Sequence, residues 1–70
     1  MATNEKELLP HQHRMVKEKD DLLTRYSALN AFMDSDVYKT LPEVDCKLLR
    51  LQASAMLFYF DVLSLRIDRF

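Results

Sequence analysis

Two stretches of the chain repeat apolar residues at the alternating spacings of three and four that line one side of an α-helix. In the first, Met15, Leu22, Tyr26, Leu29 and Met33 form a single narrow seam, broken by Lys19. The second carries two rows. One is Leu41, Val44, Leu48, Leu51, Ala55, Phe58, Val62 and Leu65; the other is Leu49, Met56, Tyr59, Leu63, Ile67 and Phe70. At about 100° per residue the rows lie a little over about 100° apart around the helix. The first helix can cover only one of them. The other would face water in a monomer as an apolar strip larger than soluble monomers normally expose, so a second chain is expected to cover it. The row Leu49, Met56, Leu63 and Ile67 is assigned this outer role.

Pro10 and Pro42 each stand just ahead of a periodic stretch, and proline is tolerated at the first helical position because its missing N–H would be unpaired there in any case. The pattern therefore predicts helix 1 over Pro10 to Met33, a polar turn or short helical piece around Ser35 to Leu41, and helix 2 from Pro42 to near Phe70. Residues 1–8 read as a mobile arm, although Asn4 and Glu7 have capping-box spacing. Residues 9–70 read as one oligomerisation and binding domain. The fold class is all-α: an antiparallel helical hairpin assembling into a compact homo-oligomeric bundle.

Composition sharpens this picture. The absence of glycine removes the residue that most β-hairpin turns need. Seventy residues bury too little surface for comfortable stability, and the usual supplements are disulfides, metals or association. A single cysteine, Cys46, rules out an internal disulfide and cannot alone build a thiolate metal site, which leaves association. A net charge of -1 lacks the basic excess of a duplex nucleic-acid binder. The start, MATNEKELL, is acidic where a secretory signal would be basic and then apolar, so a cytoplasmic location is expected. The apolar run Ala53 to Phe60 ends at Asp61, with Arg66 beyond, short of the roughly 20 apolar residues of a membrane span.

Candidate chemistry is sparse. His11 and His13, two residues apart, point about 200° away from each other on a helix, whereas helical metal-ligand pairs need spacings of three or four. Cys46 belongs to a solvated face with Arg50, Ser54, Asp61, Ser64 and Asp68, with no neighbouring base. No serine–histidine–aspartate set, carboxylate pair or glycine-rich phosphate loop can be assembled, so no enzyme, cofactor or metal is expected. The informative residues are polar groups intruding on apolar rows: Lys19 within the first seam, and Gln52 and Arg66 within the second row of helix 2. Arg14, Glu18 and Arg25 add a charged ribbon beside the helix 1 seam, with Arg14 and Glu18 spaced to pair. One reading makes these a solvated interface rim. The other makes them pockets between subunits, where arginines and a helix start hold a multiply charged anion.

The ordered set Pro10, His11, Gln12, Arg14, Glu18, Lys19, Leu22, Leu29 and Phe32, followed by Leu49, Gln52, Met56, Tyr59, Leu63, Arg66 and Ile67, resembles the short phage helical-hairpin family that contains the anti-CBASS and anti-Thoeris nucleotide sponges. It spans roughly residues 8–70. The resemblance implies a viral immune-evasion protein, assembled as a homo-oligomer and typically a hexamer. Such a protein sequesters a cyclic di- or trinucleotide, or a cyclic ADP-ribose-type signal, in the host cytoplasm without cleaving it. By position it implies that Arg25 and Ser27 on helix 1 and Arg66 on helix 2 hold phosphates. His11, Arg14 and Lys19 follow from the local argument. The match departs at His11, which has no adjacent aromatic residue to stack on a base. The competing function is a small structural or adaptor oligomer that docks on a host or phage protein.

Overall fold

The computed structural model describes residues 8–70, and every regular element among them is a helix. α1 runs Pro10–Met33, α2 is one turn over Asp36–Lys39, and α3 runs Glu43–Ile67. The chain is all-α. The expected arm over residues 1–8, with its Asn4–Glu7 capping pair, lies outside the described residues except for Leu8.

α1 starts where its proline predicts. Pro10 takes the first helical position, the Leu9 carbonyl accepts the N–H groups of Gln12 and His13 at 2.9 and 3.0 Å, and Gln12 Oε1 accepts the Leu9 N–H at 2.8 Å. At the other end Asp34 closes the helix, with no basic residue in the last turn. Ser35 then caps α2, its Oγ accepting the Tyr38 N–H at 3.3 Å. Pro42 departs from expectation by one residue. It is the N-cap of α3, at φ -57 and ψ 150, and its carbonyl accepts the N–H groups of Asp45 and Cys46. Glu43 and Asp45 fill the first turn and Arg66 the last, each at the end its charge favours.

α1 and α3 lie against each other in a body measuring 48 × 18 × 16 Å, one helix pair thick. The radius of gyration is 15.9 Å, against about 11 Å for a compact domain of this length. The core is correspondingly small. Met15 and Leu22 of α1 pack with Leu63 of α3, and Met56, Phe60 and Ile67 close around them. Leu63 is fully buried, and Ala53 is buried on the same side of α3, where a small side chain lets α1 approach. Lys19 does not break this contact, because its Nζ sits 5.2 Å from the centre of the Phe60 ring.

This arrangement reverses the expected roles of the two α3 rows. The stripe packed on α1 contains Leu49, Met56, Leu63 and Ile67, joined by Ala53 and Phe60. The uncovered row is the other one: Val44, Leu48, Leu51, Phe58 and Leu65 are 58–72% exposed. Both rows are apolar enough to pack, so what selects between them is the direction in which the connection delivers α3. Tyr38 ties that connection to both long helices. Its ring meets Phe32 of α1 edge-on at 6.3 Å, and its hydroxyl accepts a 2.8 Å hydrogen bond from Arg50 of α3 and lies 3.5 Å from the Cys46 carbonyl. Cys46 is therefore not on a solvated face as expected. It is half-buried under the connection, with Sγ 3.5 Å from the Tyr38 carbonyl.

One further expectation is corrected. By length and composition alone α3 is apolar enough to cross a membrane, despite Asp61 and Arg66. Its exposed row accounts for that composition.

Candidate functional site

The one-layer helix pair has no interior large enough for a ligand, so any site is a surface feature at the edge where α1 meets α3. An open groove of about 350 Å³ lies there, lined by Arg14, Lys17, Glu18, Asp21, Leu22 and Arg25 of α1 and by Tyr59 of α3. The helical repeat explains the set. Positions 14, 18, 21 and 25 recur every three or four residues and so share one stripe of α1, next to the buried stripe of Met15 and Leu22. Tyr59 leans in from α3, 42% exposed, one residue away from the stripe that packs on α1.

Lys17 Nζ and Asp21 Oδ2 form a 3.0 Å ion pair within this lining, on side chains that are 76% and 50% exposed. The pair is a water-screened surface contact. The Arg14–Glu18 pair expected from spacing is not among the ion pairs of the described residues; the i,i+4 pair that forms is Lys17–Asp21 instead. With Lys17 and Asp21 paired, Arg14, Arg25 and Glu18 leave the lining a surplus of one positive charge, beside the apolar Leu22 and the phenol of Tyr59. Guanidinium groups offer fork-shaped donors that fit phosphate oxygens, and an aromatic face offers a stacking surface for a base. Among the described residues no three His, Cys, Asp or Glu side chains form a group able to hold a metal ion.

Arg14 and Arg25, two of the residues singled out from sequence, both line this groove, about 16 Å apart along α1. Ser27 lies about 160° around α1 from Arg25, on the far side from the groove. Lys19 turns toward Phe60, and His11 is exposed near the start of α1 without lining the groove. Arg66 lies two turns beyond Tyr59 on the same stripe of α3 and is exposed. Within the single chain no polar or charged side chain is buried among the described residues, so the desolvation expected of Arg66 would arise only where a second chain covers it. Tyr59, Lys17 and Asp21 were missed from sequence. By spacing Tyr59 belongs to an apolar row, and its hydroxyl is the one sign that it needs a polar edge.

Comparison with known proteins agrees with this reading of a small binding protein. The chain is 33% identical over 63 residues to the "Uncharacterized 7.5 kDa protein in denB-rIIB intergenic region" of Enterobacteria phage T4, an alignment covering 90% of this chain and 98% of the phage protein. No solved structure matches the chain. The Sequestin family matches residues 9–69, from the cap of α1 to beyond the end of α3. The chain belongs to the Sequestin family.

Proposed function

We propose that this chain is the hairpin subunit of a phage homo-oligomer, a hexamer by its resemblance to the nucleotide sponges. In this reading it sequesters a cyclic di- or trinucleotide or cyclic ADP-ribose-type signal of bacterial anti-phage defence in the host cytoplasm and returns it intact. The observation that carries the reading is the groove in which Arg14 and Arg25 stand beside Leu22 and Tyr59. It combines phosphate-matching donors with a base-stacking surface, which is what holding a nucleotide requires. The family name, which denotes sequestration, points the same way. At about 350 Å³ the groove is at the small end of ligand sites and open to solvent, so assembly would enclose the ligand more fully.

Calorimetric titration with cyclic di- and trinucleotides and cyclic ADP-ribose isomers, followed by denaturation and recovery of the nucleotide, tests the proposal. One charged hydrogen bond is worth about 1.5–3 kcal/mol, so Arg14→Ala and Arg25→Ala are each expected to weaken binding about ten- to a hundredfold while helicity persists. A wild-type protein that binds none of these ligands at micromolar concentration overturns the reading. The exposed α3 row favours an adaptor role as the second reading, and capture of a defined protein partner without any nucleotide affinity would support it.

A further inference from the structure

The uncovered row of α3 has internal order. Val44, Leu48, Leu51, Ala55, Phe58, Val62 and Leu65 alternate spacings of four and three without interruption, which is the seam of a coiled coil. Relative to that seam, Asp45, Gln52, Tyr59 and Arg66 occupy one flank, toward α1 and the groove. Lys47, Ser54, Asp61 and Asp68 occupy the other.

We infer that this row is a two-fold seam for a second copy of the same chain, with the two α3 helices running antiparallel so that Ala55 packs against Phe58 of the partner subunit. Antiparallel seams pair like flanks with like. In this register Asp45 faces Arg66 of the partner subunit and Lys47 faces Asp68 of the partner subunit, and two-fold symmetry doubles both contacts. Leu48 meets Leu65 of the partner subunit, Leu51 meets Val62 of the partner subunit, and the smallest seam residue meets the largest. A slip of one heptad in one direction sets Asp45 against Tyr59 and loses its ion pair. In the other direction it sets Asp61 against its own copy. Parallel pairing stacks Phe58 on itself and keeps only Asp61 opposite Arg66. Charge and size therefore choose the same register.

The area also fits. The five exposed side chains of the row offer on the order of 600 Å² per copy, at the upper end of what monomers leave open, and the polar flanks bring the total toward the roughly 800 Å² per partner of a stable interface. The seam completes the groove as well. Gln52 of the partner subunit comes opposite Tyr59, so the groove gains an amide from the second copy. Arg66 is then an interface residue with a carboxylate partner, rather than a phosphate ligand.

The inference rests on the oligomeric part of the proposed function, and the tests separate the two. Sedimentation equilibrium of the wild type is expected to give an even-numbered oligomer; a monomer at high micromolar concentration overturns both. Leu51→Glu should dissociate the seam, and a Leu51→Glu protein of unchanged size overturns the seam while leaving oligomerisation standing. Asp45→Arg creates two repulsive contacts in place of two attractive ones and should raise the dissociation constant about tenfold. The double variant Asp45→Arg, Arg66→Asp should restore it. Equal weakening in the single and double variants overturns the register. All three positions are exposed in the single chain, so circular dichroism should report unchanged helicity. Flotation with phosphatidylcholine–phosphatidylglycerol vesicles distinguishes the remaining occupant, because a monomer that partitions onto the vesicles shows the row to be a lipid-facing surface and overturns the seam. Nucleotide titration is read separately, and its failure with an intact seam sinks only the sequestration reading.

Discussion

Leu63→Ala is the most demanding test of the helix pair. Leu63 is fully buried, and it joins Met15 and Leu22 of α1 to Met56, Phe60 and Ile67 on its own helix. Removing a buried leucine side chain down to alanine costs about 2–5 kcal/mol, depending on how far the surroundings collapse into the space. Here the contact is one layer deep, its neighbours Met56 and Ile67 are partly exposed, and the methionine is flexible, so about 3 kcal/mol is appropriate. A chain of this length has roughly 4–10 kcal/mol in total. One substitution therefore removes a third or more of the stability, and at about 4–8 °C per kcal/mol the melting temperature should fall by about 12–24 °C. The assay is thermal unfolding followed by far-ultraviolet circular dichroism, at one fixed protein concentration because association shifts Tm by mass action. Leu51→Ala is the control: Leu51 is 65% exposed, and in dilute, dissociated protein its truncation should stay within about 0.5 kcal/mol. A Leu63→Ala loss below about 1 kcal/mol, or a larger loss at Leu51 in dilute protein, would refute the assignment of the packed and open rows.

Two further substitutions probe the connection and the groove. Tyr38→Phe removes the acceptor of the Arg50 hydrogen bond and should cost about 0.5–1.5 kcal/mol in urea unfolding, with Arg50→Ala in the same background adding little because the pair acts together. Ser27→Ala should leave nucleotide affinity within error of wild type by calorimetry, since Ser27 lies on the side of α1 away from the groove; a tenfold loss would place the ligand elsewhere.

Helix positions were legible in the sequence because their signals are local. Pro10 and Pro42 mark two starts, Ser35 caps the short turn between them, and a glycine-free chain offers few competing turns. The choice of packed row was not legible, because both α3 rows have the same periodicity and similar apolar content. It goes with the path of the connection, where Tyr38 touches Phe32 of α1 and Cys46 and Arg50 of α3, contacts without any sequence period. Ala53 and Phe60 escaped for a related reason. Alanine carries little hydrophobic signal although its size is what admits α1, and Phe60 belonged to neither counted row although it completes the stripe on which Lys19 lies. For the groove, Arg14 and Arg25 could be placed on one face by spacing alone, whereas Tyr59 enters from a different helix and required the pairing of α1 with α3.

The charges at the helix ends carry a consequence for the order in which the chain comes apart. α3 has Glu43 and Asp45 at its positive end and Arg66 at its negative end, so its own backbone dipole favours it. α1 has no acidic residue in its first turn, no basic residue in its last, and Asp34 at a terminus where a negative charge is unfavourable by about 0.3–1 kcal/mol. α1 is therefore helical chiefly because α3 gives it a surface to lie on. In hydrogen exchange its amides, from the Asp34 end inward, should open at lower free energy than those of α3, making α3 the template on which α1 forms during refolding.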